Sequence, residues 1–406
     1  MPGGSSGEGT DGFRLSTLLG FPFWGKKVCP DTAGSPTMYR VLLAVSSLAA
    51  GGAERMASEL ANRWAESGWS TALLTLSGTG SDHYALDPRV ARIGLDLLWE
   101  SHSAWQAVAS NLTRNRMIRR AVTTFAPDVV VSFVEQTNVR MLAALLRSGI
   151  PVIVCERVDP RAYRVGPRWQ LARRLLYPLA SAVVVQTDAV AAWATRLVPE
   201  RKLRVIPNFI RVLPEPPPFR RRESMILAVG RLDRQKGFDL LIEAFAASRA
   251  GAQAWQVAIL GEGPERIRLE TMIRELGLGA KVLLPGVVAE PAEWLGRARV
   301  FVLSSRFEGF PNTLLEAMAM GCAVVATDCL SGPGEIIHHG EDGLLVPPDD
   351  VEALTSALDQ LTEQPGQAEG LGRAAPNVRD RFSAERIMPQ WEVLIGTVLK
   401  RGSSRR

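Results

Sequence analysis

The residues with most chemical promise lie in the run SSRFEGFPNTLLEAMAMG, residues 304–321. Glu308 stands in a loop behind a strand-like run, and Glu316 lies a turn inside the helix that follows. Asn312 or Thr313 is placed to cap that helix. Gly309 lets backbone amides come close to a ligand, and the start of the helix adds partial positive charge. An anionic diphosphate fits there, and two carboxylates at one mouth can face a single ligand. The competing reading is a pair of solvated surface acids, and the Gly309-Phe310-Pro311-Asn312 context argues against it.

Cations come from an earlier run, LAVGRLDRQKGFDL at 227–240. A strand ends at Val229, Gly230 turns the chain, and Arg231 and Lys236 emerge at the mouth. Two cations there suit a departing diphosphate; an exposed basic loop is the plainer alternative. A third constellation follows the first strand. Gly51 and Gly52 in GGAER permit close approach of backbone to ligand, although paired glycines alone also make an ordinary tight turn. The dinucleotide fingerprint G-x-G-x-x-G is absent from this first turn, which argues against NAD. In Gly261-Glu262-Gly263-Pro264 the proline ends a phosphate-cradle pattern early.

These loops need strands and helices to hold them. Apolar, β-branched runs recur at Tyr39–Ser46, Thr71–Leu76, Val90–Leu95, Val129–Phe133, Val152–Cys155, Val183–Gln186 and Leu203–Ile206. A second series falls at Met225–Val229, Gln256–Leu260, Val282–Leu284, Val300–Leu303, Ala323–Ala326 and Gly343–Val346. Helical spacing fills most of the gaps, as at 53–67, Phe238–Ser248, Pro264–Leu276, Thr313–Met320 and Val351–Leu361. Continuous apolar strands belong to parallel sheets covered on both faces. The fold class is therefore α/β, with two doubly wound domains facing across a cleft. The expected boundaries are 38–206 for the first domain, 207–224 for a proline-rich linker without regular structure, and 225–380 for the second domain. Residues 381–406 form a final helix, packing back across both domains, and a tail.

Composition narrows the class. The 406 residues are 46% hydrophobic and 22% charged, which suits a globular protein and excludes collagen, coiled coil and wholesale disorder. Residues 1–37, rich in Gly, Ser, Thr and Pro, read as a disordered extension, and Lys26 and Lys27 follow the short apolar patch instead of preceding it as in a signal peptide. No apolar run is long enough to span a bilayer. Cys29, Cys155, Cys322 and Cys329 form no C-x-x-C pair and read as reduced thiols, and the histidines show no metal-ligand spacing. Charge is split along the chain. Basic side chains exceed acidic ones by roughly eight over 38–206, and the reverse holds over 224–381. A basic front half suits an anionic partner.

Taken in order, GGAER at 51–55, VGRLDRQKGFDLLIEAF at 229–245, GEGP at 261–264, FEGFPNTLLEAMAMG, SGPGEII at 331–337 and GEDGLLVPPDD at 340–350 resemble the glycosyltransferase family 4 enzymes of GT-B architecture. The resemblance runs from Met38 to about Leu399. It implies a retaining glycosyltransferase with a nucleotide-sugar donor. Glu308 is then the glutamate that contacts the transferred sugar, and Glu316 the one that holds the ribose hydroxyls. Arg231 and Lys236 clamp the diphosphate, and amides of Gly309, Phe310, Pro311, Asn312, Thr313 and Leu314, with Gly230 nearby, line the donor seat. Gly51 and Gly52 form the loop where donor phosphate and acceptor meet. The family's same-face mechanism lets the donor phosphate take the acceptor proton, so it requires no dedicated protein base. Without a D-x-D motif, no metal or other cofactor is expected.

GGAER, CERVDP at 155–160 and SGPGEII together are similar to members that extend undecaprenyl-diphosphate-linked glycans, with UDP-N-acetylhexosamines as frequent donors. Arginines 161, 164, 168, 173 and 174 beside Tyr163, Trp169, Leu171, Leu175 and Leu176, and arginines 114, 116, 119 and 120, suit an anionic membrane surface or a lipid diphosphate. The expected location is cytoplasmic, peripheral on the inner membrane face. Nucleic acid is a poor fit, with few aromatics and no binding motif. Alternatives are a transferase for a soluble small-molecule acceptor, a non-catalytic nucleotide-sugar-binding module, and a sugar-nucleotide 2-epimerase, which matches the FEGFPNTLLEAM region less well.

Overall fold

The computed structural model describes residues 38–80, 82–97, 104–163 and 165–403. The extension at 1–37, with Cys29, and Arg164 lie outside the described residues. The first half contributes strands β1 (Arg40–Val45), β2 (Ser70–Thr75), β3 (Ala91–Gly94), β4 (Val129–Phe133), β5 (Val152–Cys155), β6 (Ala182–Val185) and β7 (Leu203–Val205). Its helices are α1 (Gly52–Glu66), α2 (Ala104–Phe125), α3 (Glu135–Ala144), α4 (Pro167–Leu176) and α5 (Asp188–Ala194). The second half contributes β8 (Glu223–Val229), β9 (Gln256–Leu260), β10 (Val282–Gly286), β11 (Ala298–Leu303), β12 (Ala323–Thr327) and β13 (Leu344–Val346). Between and after them come α6 (Phe238–Ala247), α7 (Arg249–Ala252), α8 (Arg266–Glu275), α9 (Pro291–Arg297), α10 (Asn312–Ala319), α11 (Pro333–Ile336), α12 (Val351–Glu363), α13 (Pro365–Ala374), α14 (Val378–Phe382) and α15 (Ala384–Ser403).

Two wholly parallel sheets result, ordered β3-β2-β1-β4-β5-β6-β7 and β10-β9-β8-β11-β12-β13. Strands such as VVVSF at 129–133 are buried along their whole length because helices cover both faces. In the first sheet, Leu42, Val130 and Val154 pack toward α2, α3, α4 and α5. Val41, Leu43 and Val131 face the opposite way, toward α1 and α15. Each sheet reverses its strand order once, between β1 and β4 and between β8 and β11. Loops beyond the carboxyl ends of strands at such reversals are where ligands of open α/β sheets sit. Gly51, Arg231 and Glu308 all lie in those loops.

The chain crosses between the sheets twice. The proline-rich segment does not lack regular structure throughout, as its composition predicts. A short 3-10 turn occupies Phe219–Arg221, and β8 begins at Glu223, two residues before Met225. Arg222 explains the early start. Its guanidinium is buried and donates to the Ala298 and Met320 carbonyls, pinning the segment to the second sheet. The return crossing precedes α15. There the Ile210 amide donates to the Phe382 carbonyl at 2.8 Å, joining the two crossings. Helix α15 then packs Ile387, Trp391, Ile395 and Val398 into the core of the first sheet. Trp391 meets Trp64 edge to face with centroids 6.3 Å apart.

Candidate active site

Lys236 and Glu308 are brought together by two loops of the second sheet. After β8, Asp233 caps a short turn at Arg234–Lys236 by accepting from the Lys236 amide. Gly237 follows at φ 61°, and a Cβ there would lie 2.1 Å from the Ser304 carbonyl oxygen, so only glycine fits. Gly230 leaves room for the lysine stem, since its Cβ would stand 3.1 Å from Lys236 Cδ. The Lys236 ammonium donates to Glu308 Oε1 at 2.6 Å, and Ser305 Oγ donates to the same oxygen at 2.6 Å. Glu308 is 5% exposed, so the ion pair is largely shielded from water. Arg231 is placed differently. Its Nε donates to Asp233 Oδ2 at 2.6 Å and its side chain is 70% exposed. Of the two expected clamp cations, the structure joins only Lys236 to Glu308.

Glu316 is 2% exposed and lies on α10, where residues from elsewhere in the chain take its carboxylate. Arg211, in the crossing segment, donates from Nε to Oε1 at 2.8 Å. Arg55, on α1 of the first sheet, donates from Nη1 to Oε2 at 3.2 Å and places Nη2 against Oε1. Burial, reinforced by the neighbouring Arg211 charge, depresses the Arg55 guanidinium to about 10, which leaves it charged at neutral pH.

The loop between the two glutamates corrects several expectations. Pro311, not Asn312 or Thr313, occupies the cap of α10. Asn312 is the first helical residue, and its side chain reaches out of the second sheet. Its Oδ1 accepts from Asn208 Nδ2 at 2.6 Å, and its Nδ2 faces the Gly52 carbonyl at 3.4 Å. Gly309 is glycine for the sake of another part of the chain, because a Cβ would lie 2.2 Å from the Arg157 carbonyl oxygen. Phe310 and Leu314 are buried in the core of the second sheet, Phe310 edge-on to Phe382. Thr313 is half-buried beside them.

On the first sheet, Gly51 caps α1 in extended conformation. Tyr84 brackets it, its hydroxyl accepting from the Gly51 amide at 3.1 Å and donating to the Gly51 carbonyl at 3.0 Å. Glu54 folds back over Gly51, where its Oε2 fills the place a Cβ would take. Burial raises the Glu54 carboxyl above its usual range, opposed by its own backbone amide and by Arg231 across the cleft.

Asn208, beyond β7, ties the halves together. It donates to the Phe310 carbonyl at 3.2 Å and accepts from Arg157 Nη1 at 2.8 Å. Gln186, with its amide oxygen turned toward Arg157 Nη1 and Asn208 Nδ2, completes the cluster. The residues that sequence reasoning missed are Arg55, Asn208, Arg211 and Tyr84. Arg55 stood in the GGAER motif, whereas Asn208 and Arg211 carried no signal beyond their place in a proline-rich segment.

The remaining candidates divide. Glu156 of CERVDP faces away from this cluster, buried with Tyr177, whose hydroxyl donates to it at 2.6 Å, and with Arg173. That makes Arg173 internal, 3% exposed, instead of part of a basic surface. Arg114 is likewise buried and donates to the Leu97 carbonyl. Cys155, Cys322 and Cys329 are buried free thiols, and burial pushes them up to about 12, 11 and 12. Among the described residues, no helix is long and apolar enough to cross a membrane.

Comparison with known proteins decides the family. A model described as "Glycosyl transferase 4-like domain" matches residues 51–208, and one described as "Glycosyl transferases group 1" matches residues 210–378. The chain belongs to the group 1 glycosyltransferases. It is a retaining family 4 enzyme with the GT-B fold. An exopolysaccharide phosphotransferase of Streptomyces coelicolor is 34% identical over 306 residues, 73% of this chain but only 31% of that protein. The chain thus spans about a third of the length of that relative. A Campylobacter jejuni α-1,4-N-acetyl-D-galactosaminyltransferase, named for a diNAcBac-PP-undecaprenol-linked acceptor, is 27% identical over 89% of this chain and 99% of its own. Among solved structures, sucrose-phosphate synthase from Thermosynechococcus elongatus superposes with a TM-score of 0.77 at 21% identity, covering 89% of this chain and 100% of that one. HepE of Anabaena, solved with UDP and glucose, gives 0.72 at 18% identity, covering 88% and 100%.

Proposed function

We propose that this glycosyltransferase moves a hexose or N-acetylhexosamine from a UDP-sugar to a lipid-linked or surface-glycan acceptor in polysaccharide biosynthesis. The observation that carries the reading is the shielded Lys236–Glu308 pair at the strand-order reversal of the second sheet. As the glycosidic bond breaks, negative charge grows on the diphosphate and positive charge on the sugar. Lys236 supplies the fixed cation for the first and Glu308 the carboxylate for the second, in a site where charges act strongly because water is excluded. Arg231 joins the clamp by leaving Asp233 for the phosphates. Glu316 holds the ribose, the amides and side chains of Gly309 to Leu314 shape the seat, and Gly51 and Gly52 border the acceptor. The donor phosphate takes the acceptor proton, so no protein base is assigned.

UDP is favoured because HepE, of the same fold, is solved with it. A lipid-linked acceptor is favoured by the name of the Campylobacter relative and by the outer face of α4. Leu171 and Leu175 are 58% and 64% exposed there, and Leu179, in the turn that follows, is 55% exposed. Beside them, a cavity of about 380 Å³ between α4 and α5 is lined by Arg173, Arg174, Arg196, Gln170, Trp193 and Leu197. Exposed leucines next to the exposed Arg174 and Arg196 suit the surface of an anionic bilayer. A panel of UDP- and GDP-sugars tests the proposal, with free nucleotide measured in the presence and absence of a membrane lipid extract. Release from one UDP-sugar only with the extract is the expected result. Equal release from a soluble acceptor alone would overturn the lipid-linked part.

A further inference from the structure

The contacts of Glu316 conflict with its seating a ribose unless something moves. A carboxylate offers about four lone-pair sites, two on each oxygen. On Oε1, Arg211 Nε takes one, and Arg55 Nη2, in ion-pair contact, covers the other. On Oε2, Arg55 Nη1 takes one. A single site remains, whereas the two ribose hydroxyls donate two hydrogen bonds. One arginine has to withdraw before both hydroxyls can bind.

Arg55 is the one placed to do so. It comes from α1 on the first sheet, and its fork bridges to α10 on the second, so that it is held from across the two sheets. Arg211 approaches from the crossing segment and touches one oxygen only. The two arginines also repel each other, and burial already disfavours the charge on Arg55. Arg211 stays behind and keeps Glu316 an oriented carboxylate.

We infer that Arg55 and Arg211 are positioning residues for Glu316, and that Arg55 surrenders its place on that carboxylate to the donor's ribose hydroxyls. The inference rests on the assignment of Glu316 to the ribose. Part of the binding energy of the ribose is thereby spent on breaking a cross-sheet ion pair, so the site discriminates less between ribose and its deoxy analogues than a free carboxylate would.

Calorimetric binding of UDP and of 2′,3′-dideoxy-UDP to the full-length protein tests this, with the corresponding GDP pair used where that pair is the one the wild type binds. The readout is the ratio of the two dissociation constants, in which every contact common to both complexes cancels. In Arg55→Met the preference for the ribose form should rise by roughly tenfold over wild type. Arg55→Lys, which keeps the charge but not the fork, should fall between. In Arg211→Met the preference should not rise as far as in Arg55→Met. A thermal melt of each variant confirms that folded protein is compared. An unchanged or reduced preference in Arg55→Met overturns the exchange when Glu316→Gln abolishes the preference, because Glu316 then binds ribose with Arg55 in place. A preference that survives intact in Glu316→Gln overturns the ribose assignment itself and the exchange with it.

Discussion

Glu308 and Glu316 are close in sequence and both are buried, at 5% and 2% exposure, yet they are held in opposite ways. Among the described residues, the side chains that bond the Glu308 carboxylate come from the second sheet, namely Lys236 and Ser305. Those that bond Glu316 come from the first sheet and the crossing segment, namely Arg55 and Arg211. A carboxylate satisfied within one sheet depends on that sheet alone. One satisfied from the other sheet depends on how the two are placed. The first kind suits charge stabilisation in the transition state, which demands preorganised groups. The second kind suits a contact that changes when the ligand arrives.

Three substitutions break or sharpen this contrast, beginning with the largest effect. Trp391→Ala removes the edge-to-face partner of Trp64 and opens a void under α15, at a cost of about 3–5 kcal/mol. Chemical denaturation should show the loss in full, because α15 belongs to the core of the first sheet although it follows the second in the chain. Gly237→Ala forces a Cβ against the Ser304 carbonyl at positive φ and should cost about 1–3 kcal/mol. Its melting temperature and kcat should fall together, because Lys236 and Glu308 depend on that turn within a single sheet. Gly309→Ala presents a similar clash, against Arg157 of the first sheet. Here the halves can separate to relieve it, so the stability loss should be smaller than for Gly237→Ala while donor KM rises. Equal stability losses for the two glycines would erase the distinction between local and cross-sheet support.

A smaller expectation concerns the thiols. Cys155, Cys322 and Cys329 are buried with raised pKa values, so at neutral pH their thiolate fraction is minute. A thiol reagent should modify them only at the rate of unfolding, and rapid modification of any of the three in native protein would refute their burial.

The same contrast explains what could be read from the sequence. Strand positions were legible nearly to the residue, as at Val129–Phe133 and Gln256–Leu260, because parallel strands buried on both faces leave continuous apolar runs. Lys236 and Glu308 were legible as candidates because glycine turns and strand ends mark their loops. Their pairing required the second sheet to be assembled, which order of strands alone does not disclose. Arg55, Asn208 and Arg211 were not singled out at all, since their partners sit more than a hundred residues away or on the other sheet. Gly309 has a reason for being glycine that the sequence does not disclose. Its missing side chain makes room for the Arg157 carbonyl, a contact invisible before the halves are placed together. Arg173 shows the reverse, a charge assigned to the surface that Glu156 and Trp193 draw inside.

The central claim is that Lys236 and Glu308 act as one preorganised unit on the breaking glycosidic bond. Steady-state transfer by Lys236→Ala, Glu308→Gln and the double variant, each corrected for its folded fraction, tests it most directly. The account predicts that either single change lowers kcat by about 10²–10³ and that the double variant loses little more than the worse of the two. A single variant that turns over within about threefold of wild type, or losses that multiply as for independent groups, would contradict it.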